Sequence, residues 1–321
     1  MDASEKYGVT KEDLQHLASF SGIPIYFCDE DDADDEQPLD ETEAGWDVPS
    51  AGEDDIEFGT DSFGDPFGQD GIDQNEIDQI VEEIGKTALS TPGDEFARFV
   101  ALNHMRIYRA AHADDRVVES LLLGYRLGIA SGSGACMNDL GALYYIGEIV
   151  EQDYAKAAEL YEMAIAHGCY QSIINLGYIY EYGRTGERDY DKAYRLYSLA
   201  AALEPGCEAL YKLGDMYARG KAVERNMVLA LSLWERSLAL AQGVVLTAQP
   251  ALRIAQLLID PDCVDWNIEP DPLRALSLFQ QAEIGLRIDI TENGLTYYRK
   301  RLQEAVDGEA RARELARALG Y

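Results

Sequence analysis

The sequence predicts an all-α solenoid of stacked helix pairs, led by an acidic N-terminal arm. Two kinds of repetition and one charge asymmetry carry that prediction. Leu140-Gly141 returns as Leu176-Gly177 and Leu213-Gly214, at steps of 36 and 37, and a fixed period of roughly 20 to 50 residues marks stacked repeats. Tyr144 returns as Tyr180 and Tyr217, and Gly147 as Gly183 and Gly220. In the second half of each unit Asp153, Ala157 and Tyr161 return as Asp189, Ala193 and Tyr197, then as Asn226, Ala230 and Trp234.

The charge asymmetry concerns the arm. The 321-residue chain has a formal net charge of -32, and no Lys or Arg stands between Lys11 and Lys86. Residues 12–85 hold 25 Asp and Glu, whereas elsewhere 34 acids meet 27 bases, a net of only -7. Such a tail repels phosphate backbones and anionic lipid, which argues against nucleic-acid or membrane-surface partners. Met1-Asp2-Ala3-Ser4-Glu5-Lys6 lacks the basic start and apolar core of a signal peptide, and the apolar runs are too short to span a bilayer. Cys28, Cys136, Cys169, Cys207 and Cys263 are an odd, scattered set without metal-ligand spacing. Reduced thiols and a cytoplasmic location are expected.

Residues 1–28 hold one candidate short helix, with Thr10 and Asp13 as its start and Leu14, Leu17 and Ala18 at helical spacing. Residues 29–72 are too acidic and too poor in apolar side chains to offset their ordering entropy, so a disordered acidic linker is expected. From Asp73 to residue 90, Ile77, Ile80, Val81 and Ile84 form one stripe. The pattern predicts an amphipathic helix capping the solenoid. Thr91-Pro92-Gly93 marks a boundary, and the repeat solenoid is expected over 94–286. Its first, degenerate unit has one helix from Phe96 through Tyr108 and a partner from Val117 to Ala130. Tyr125 and Gly132 stand 36 residues before Tyr161 and Gly168. After the three clear units, Ile254-Ala255 and Ala275, Phe279 and Ala282 continue the pattern, with a loop inserted between Ile259 and Asp271. Residues 287–321 are expected to cap the stack, with Thr291–Val306 and Glu309–Leu319 as a closing helix or helix pair.

Local chemistry explains the repeated positions. Met137, Leu140 and Tyr144 share a helix face with Gly141 at its centre. A mid-helix glycine costs about 1 kcal/mol relative to alanine, so its return implies close packing, expected against Ala157 and Ala164. Gly147, Gly183 and Gly220 are placed to end the first helices in left-handed conformation. Asp153, Asp189 and Asn226 are placed to cap the second. The pattern Ala-x-x-x-x-Leu-Gly-x-x-Tyr-x-x-Gly, then Asp-Tyr-x-Lys-Ala-x-x-Leu-Tyr-x-x-Ala, runs from Ala135 to Ala164 and again through Leu176 to Ala200. It resembles the Sel-one-like repeats, relatives of the tetratricopeptide (TPR-like) repeats. The resemblance implies a right-handed solenoid of about five helix pairs, and an adaptor that brings proteins together without catalytic residues.

The residues themselves offer no chemistry to set against that. His16, His104, His112 and His167 have no metal-ligand spacing, and neither a nucleophile elbow, a phosphate loop nor a dinucleotide fingerprint is present. Neither an enzyme, a cofactor nor a metal is expected. If the first helix of each pair lines the inner surface, as the resemblance implies, its outward positions lie two before, one after and five after the glycine. These are Asp139, Ala142 and Ile146, then Asn175, Tyr178 and Tyr182, then Lys212, Asp215 and Arg219. The partner-binding set expected from them is Asp139, Asn175, Tyr178, Tyr182, Lys212, Asp215 and Arg219. Tyrosines would anchor a partner peptide or helix, and Lys212 with Arg219 would meet an acid. Because Tyr178 faces outward in this scheme, Tyr178→Ala is expected to leave stability nearly unchanged. The alternative is a charge-mimic regulator, whose acidic arm occupies a basic surface of a partner or of its own C-terminal cap.

Overall fold

A computed structural model of the chain describes residues 72–321. The expected segment 1–28, and the acidic linker 29–72 apart from Ile72, lie outside the described residues. Among the described residues are thirteen α-helices, two 3-10 turns and no strand. The chain is an α-solenoid in which each helix packs on its neighbours in sequence.

The opening block comprises α1 (Gln74–Ser90), α2 (Asp94–Leu102), α3 (His104–Ala111) and α4 (Asp115–Ala130). Asp73 caps α1 by accepting a hydrogen bond from the Asn75 N–H. Ile77, Ile80, Val81 and Ile84 are buried, and the helix packs mainly on α4. The stretch from Phe96 to Tyr108 is not the single expected helix. It breaks at Asn103, whose backbone N–H reaches the carbonyls of Phe99 and Val100 and whose side-chain amide donates to Phe99 O at 2.8 Å. An asparagine bonded back to its own turn competes with helical continuation.

Four helix pairs follow. They are α5 (Gly134–Ile146) with α6 (Tyr154–Ala166), α7 (Gln171–Tyr182) with α8 (Tyr190–Leu203), α9 (Cys207–Arg219) with α10 (Met227–Leu240), and α11 (Val244–Leu258) with α12 (Pro272–Thr291). Gly147, Gly183 and Gly220 end α5, α7 and α9 with φ of 74°, 63° and 63°, where a side chain would be strained. Asp153, Asp189 and Asn226 open α6, α8 and α10. Each side-chain oxygen accepts from the N–H three residues on, at 2.8, 2.8 and 2.9 Å. Their own N–H groups donate to the carbonyls of Tyr144, Tyr180 and Tyr217 at 2.9, 2.9 and 3.0 Å. Asp271 makes the same link to Leu258 at 3.1 Å, so the fourth pair shares the joint despite lacking both glycines.

The mid-helix glycines meet rings rather than the small alanine surfaces expected. A Cβ at Gly141 would stand 2.8 Å from Cε1 of Tyr161, and one at Gly177 or Gly214 would press harder on the Tyr197 ring or the Trp234 indole. Each absent side chain is a flat bed for a buried aromatic, and burying such a ring contributes roughly 2–3 kcal/mol. In the fourth pair Ala255 stands at the glycine's position, and Gly308 of α13 (Arg299–Ala318) beds the ring of Phe279. That contact explains a glycine inside the closing element, which is one continuous helix. The α12 helix itself runs on to Thr291, so no closing helix starts there. Between α11 and α12 the inserted residues form a 3-10 turn, Pro261–Trp266, whose Cys263 is buried.

Candidate partner-binding surface

Successive first helices lie side by side: α5 touches α7, and α9 touches α11. Side chains on the flanks of each inner face therefore meet the next helix instead of water. The outward placement of Lys212 and Asp215 is corrected on this ground. Lys212 is 2% exposed and Asp215 is 4% exposed, because both bridge to neighbouring repeats.

Lys212 Nζ lies 2.5 Å from Glu181 and 3.3 Å from the Tyr182 hydroxyl. It stands over the rings of Tyr178, Tyr182 and Tyr197 at 4.6, 5.2 and 5.4 Å, within cation–π range. Glu181 also accepts from the Tyr197 hydroxyl at 2.7 Å. One repeat on, Arg253 of α11 donates to Asp215 from Nε at 2.5 Å and Nη2 at 2.7 Å, a two-pronged pair. The Trp234 indole donates to the same carboxylate at 3.1 Å. Burial pushes the Asp215 carboxyl up, but Arg253, Arg219 and Lys212 outweigh it and hold the group below the usual range. Burial likewise opposes charge on Lys212, and Glu181 more than restores it.

Tyr178 is half-buried. Its hydroxyl donates to Glu208 at 2.6 Å and pairs with the Tyr211 hydroxyl at 3.0 Å, while its ring stacks on Tyr182 at 6.0 Å and 5°. The near-neutral Tyr178→Ala variant expected above does not fit these contacts, since truncation would strip a shared hydrogen bond and a stacked ring. At the other end, Asn138 Oδ1 accepts from Ser172 at 2.7 Å and from Asn175 Nδ2 at 2.9 Å, and Asn138 Nδ2 donates to Asp139 at 3.1 Å. Burial raises the Asp139 carboxyl to about 6.

The most open of the three positions is the one five after the glycine. Ile146 is 42% exposed, Tyr182 half-buried, and the Arg219 side chain 39% exposed. Glu181, Glu208, Tyr211, Trp234 and Arg253 complete the network and escaped the sequence reading. Arg253 had a signal: it precedes Ile254-Ala255 as Lys212 precedes Leu213-Gly214, so it occupies the same position in its repeat. Glu181 falls outside the three outward positions and had none.

This arrangement locks charge in place between the repeats. Among the described residues, no group of His, Cys, Asp and Glu could hold a metal ion, and no helix is long and apolar enough to cross a membrane. Stacked helix pairs with a polar ladder between their first helices define a repeat scaffold. Four segments of the chain match the Sel1 repeat family model: residues 134–169, 171–205, 207–241 and 265–283. Sel1 repeats generally mediate protein–protein interaction and typically build non-enzymatic scaffolds.

Three solved structures are similar at low identity. A Sel1 repeat protein from Oxalobacter formigenes is 16% identical, over 65% of this chain and 97% of that one, with a TM-score of 0.44. The protein c5321, a protective antigen of uropathogenic Escherichia coli strains with an SLR fold, is 20% identical over 73% and 56%, at 0.41. The immunity protein Pa5087 from Pseudomonas aeruginosa is 22% identical over 62% and 84%, at 0.34. No curated protein sequence matches the chain.

Proposed function

We propose that the protein is a cytoplasmic protein-interaction adaptor, without catalysis of its own, that takes a partner peptide or helix along α5, α7, α9 and α11. The observation that carries this reading is the strip Ile146, Tyr182, Arg219. One position of three successive repeats supplies an apolar, an aromatic and a cationic side chain in a row, about 8–10 Å apart by helix packing. Tyrosine and arginine in partly desolvated settings are the side chains that most often dominate an interface. The ladder beneath holds the strip in a fixed arrangement, so little ordering entropy is lost when a partner arrives. Lys212, Asp215 and Tyr178 serve the surface from below, and Asn175 and Asp139 extend its polar rim toward α5.

The test is proximity labelling in the native cell with the wild type and Ile146→Glu. The exposed position should leave melting unchanged while the labelled partners disappear. An unchanged set of partners would overturn the groove. It would favour the charge-mimic alternative, in which residues 29–72 act by themselves on a basic partner surface.

A further inference from the structure

At the open strip the ladder holds more positive than negative charge. Glu181 and Asp215 are the carboxylates; Lys212, Arg219 and Arg253 are the cations. Lys212 and Tyr197 occupy Glu181, and Arg253 and Trp234 occupy Asp215, all within 2.5–3.1 Å. Arg219 stands 3.7 Å from Glu181 and 3.8 Å from Asp215, beyond hydrogen-bond reach. Its guanidinium therefore keeps donors for something else. Glu208 does not supply the balance. It sits at the other end of α9, about 16 Å away by helical rise, where Tyr178 and Gln171 hold it.

A second guanidinium adjoins the same place. Arg184 lies over the Tyr182 ring at 5.7 Å and over Tyr154 at 5.2 Å; its guanidinium shares a hydrogen bond with Tyr145, while its Nε is buried without an acceptor. A buried donor lacking an acceptor is costly and calls for an anion or water. Two planar guanidinium groups along the strip, Arg184 over Tyr182 and Arg219 beside Glu181, match a carboxylate-rich chain with an aromatic side chain. The described body supplies no third carboxylate to this cluster, but the N-terminal arm is full of them. Within it, Glu41-Thr42-Glu43-Ala44-Gly45-Trp46-Asp47 combines three acids with the arm's one tryptophan. From Ile72 back to Trp46 is 26 residues, which span up to about 86 Å. Four helix spacings between α1 and α9 need about 40 Å. Tethering also raises the effective concentration to about the millimolar range.

We infer that residues 41–47 of the chain's own arm dock on this strip, their carboxylates pairing with Arg219 and Arg184 and Trp46 lying against Tyr182. The docking uses the groove assigned above to a partner, so it rests on that reading and makes entry of a partner competitive with the arm. Screening by salt releases the arm, and so does a partner that binds the strip more tightly.

The experiment uses the full chain labelled with fluorotryptophan and followed by fluorine NMR, with the Trp46 signal assigned through Trp46→Phe. At low salt that signal should be displaced from its position in a free peptide of residues 41–47, and about 1 M salt should return it. Arg219→Gln should lower the docked-to-free ratio about tenfold at low salt, as loss of a charged hydrogen-bond pair implies. The Trp234 and Trp266 signals report in the same spectrum that the fold is intact. A Trp46 signal at the free-peptide position in the wild type overturns the docking, as does one indifferent to Arg219→Gln. Release by Arg311→Gln with Arg317→Gln would move the dock to α13, and a displacement that grows with protein concentration would assign it to a second copy; either result overturns it. If Trp46 is free while Ile146→Glu still loses its partners, the groove stands and the self-docking falls.

Discussion

The contacts within the helix pairs and the contacts between them are built on opposite plans. Within a pair, one device recurs: a glycine beds the ring of Tyr161, then Tyr197, then Trp234. Between pairs the donor's position repeats but its chemistry and its acceptor do not. An Asn138–Ser172–Asn175 bridge is followed by Lys212 with Glu181, and then by Arg253 with Asp215. Packing shape can be copied from unit to unit, because each pair solves the same problem. The faces between units carry individual chemistry, which fixes the order in which units stack and leaves a different side chain exposed at each step.

The sharpest way to break the comparison is to cut a rung. Lys212→Ala would strip buried Glu181 of its close cation, leaving Arg219 at 3.7 Å, and should destabilise by about 3–5 kcal/mol in denaturant titration. The double variant Lys212→Met, Glu181→Leu should regain most of that loss, because the desolvation penalty goes with the charge. A single variant near wild-type stability would show that the rung is ornamental. Gly177→Leu tests the repeated device: pressing a side chain into the Tyr197 ring should cost about 1–3 kcal/mol or more by overpacking, and an unshifted melting temperature would refute the bed.

Asp139→Asn should act in the opposite direction and with a pH signature. The folded carboxyl titrates near 6, above an unfolded value of about 4. The folded state therefore holds the proton more tightly, and the stability linked to it is present below about pH 4 and lost as pH rises through 6. At pH 7 the amide should stabilise by about 1–2 kcal/mol, allowing for a site that is partly open to water, and at pH 4 it should do almost nothing. Equal gains at both pH values would assign the effect to packing. The smallest change is expected from Asp189→Ala, about 1 kcal/mol from one lost helix cap, read from the melting temperature.

The two plans also explain what the sequence disclosed. Gly141, Tyr161, Asp153 and Gly147 announce themselves by returning in register, and the helix pairs follow from them. One end of each rung does return, two before the glycine position, as Asn175, Lys212 and Arg253, but the acceptors Asn138, Glu181 and Asp215 share no register, so they could not be read from periodicity. A helical wheel places Lys212 and Asp215 facing out because it treats α9 as a lone helix, whereas the neighbours α7 and α11 supply Glu181 and Arg253 on its flanks. The break at Asn103 was hidden for a related reason. Phe96, Val100 and Ile107 keep the helical period across it, while the side-chain bond to Phe99 O is local.

The backbone link that ties each second helix to its predecessor bears on the order of events during synthesis. Asp153, Asp189 and Asn226 each reach a carbonyl nine residues back, so the hairpin closes over a short span. Asp271 reaches back thirteen, and the longer span adds only about 0.3 kcal/mol of closure entropy. Each hairpin can thus form as soon as its own residues leave the ribosome, without waiting for distant sequence. Its charged rung must wait. Glu181 emerges about thirty residues before Lys212, and at about 5–20 residues per second that is a wait of a few seconds. During that interval the newest pair shows water an acidic edge, and the arrival of the next repeat seals it.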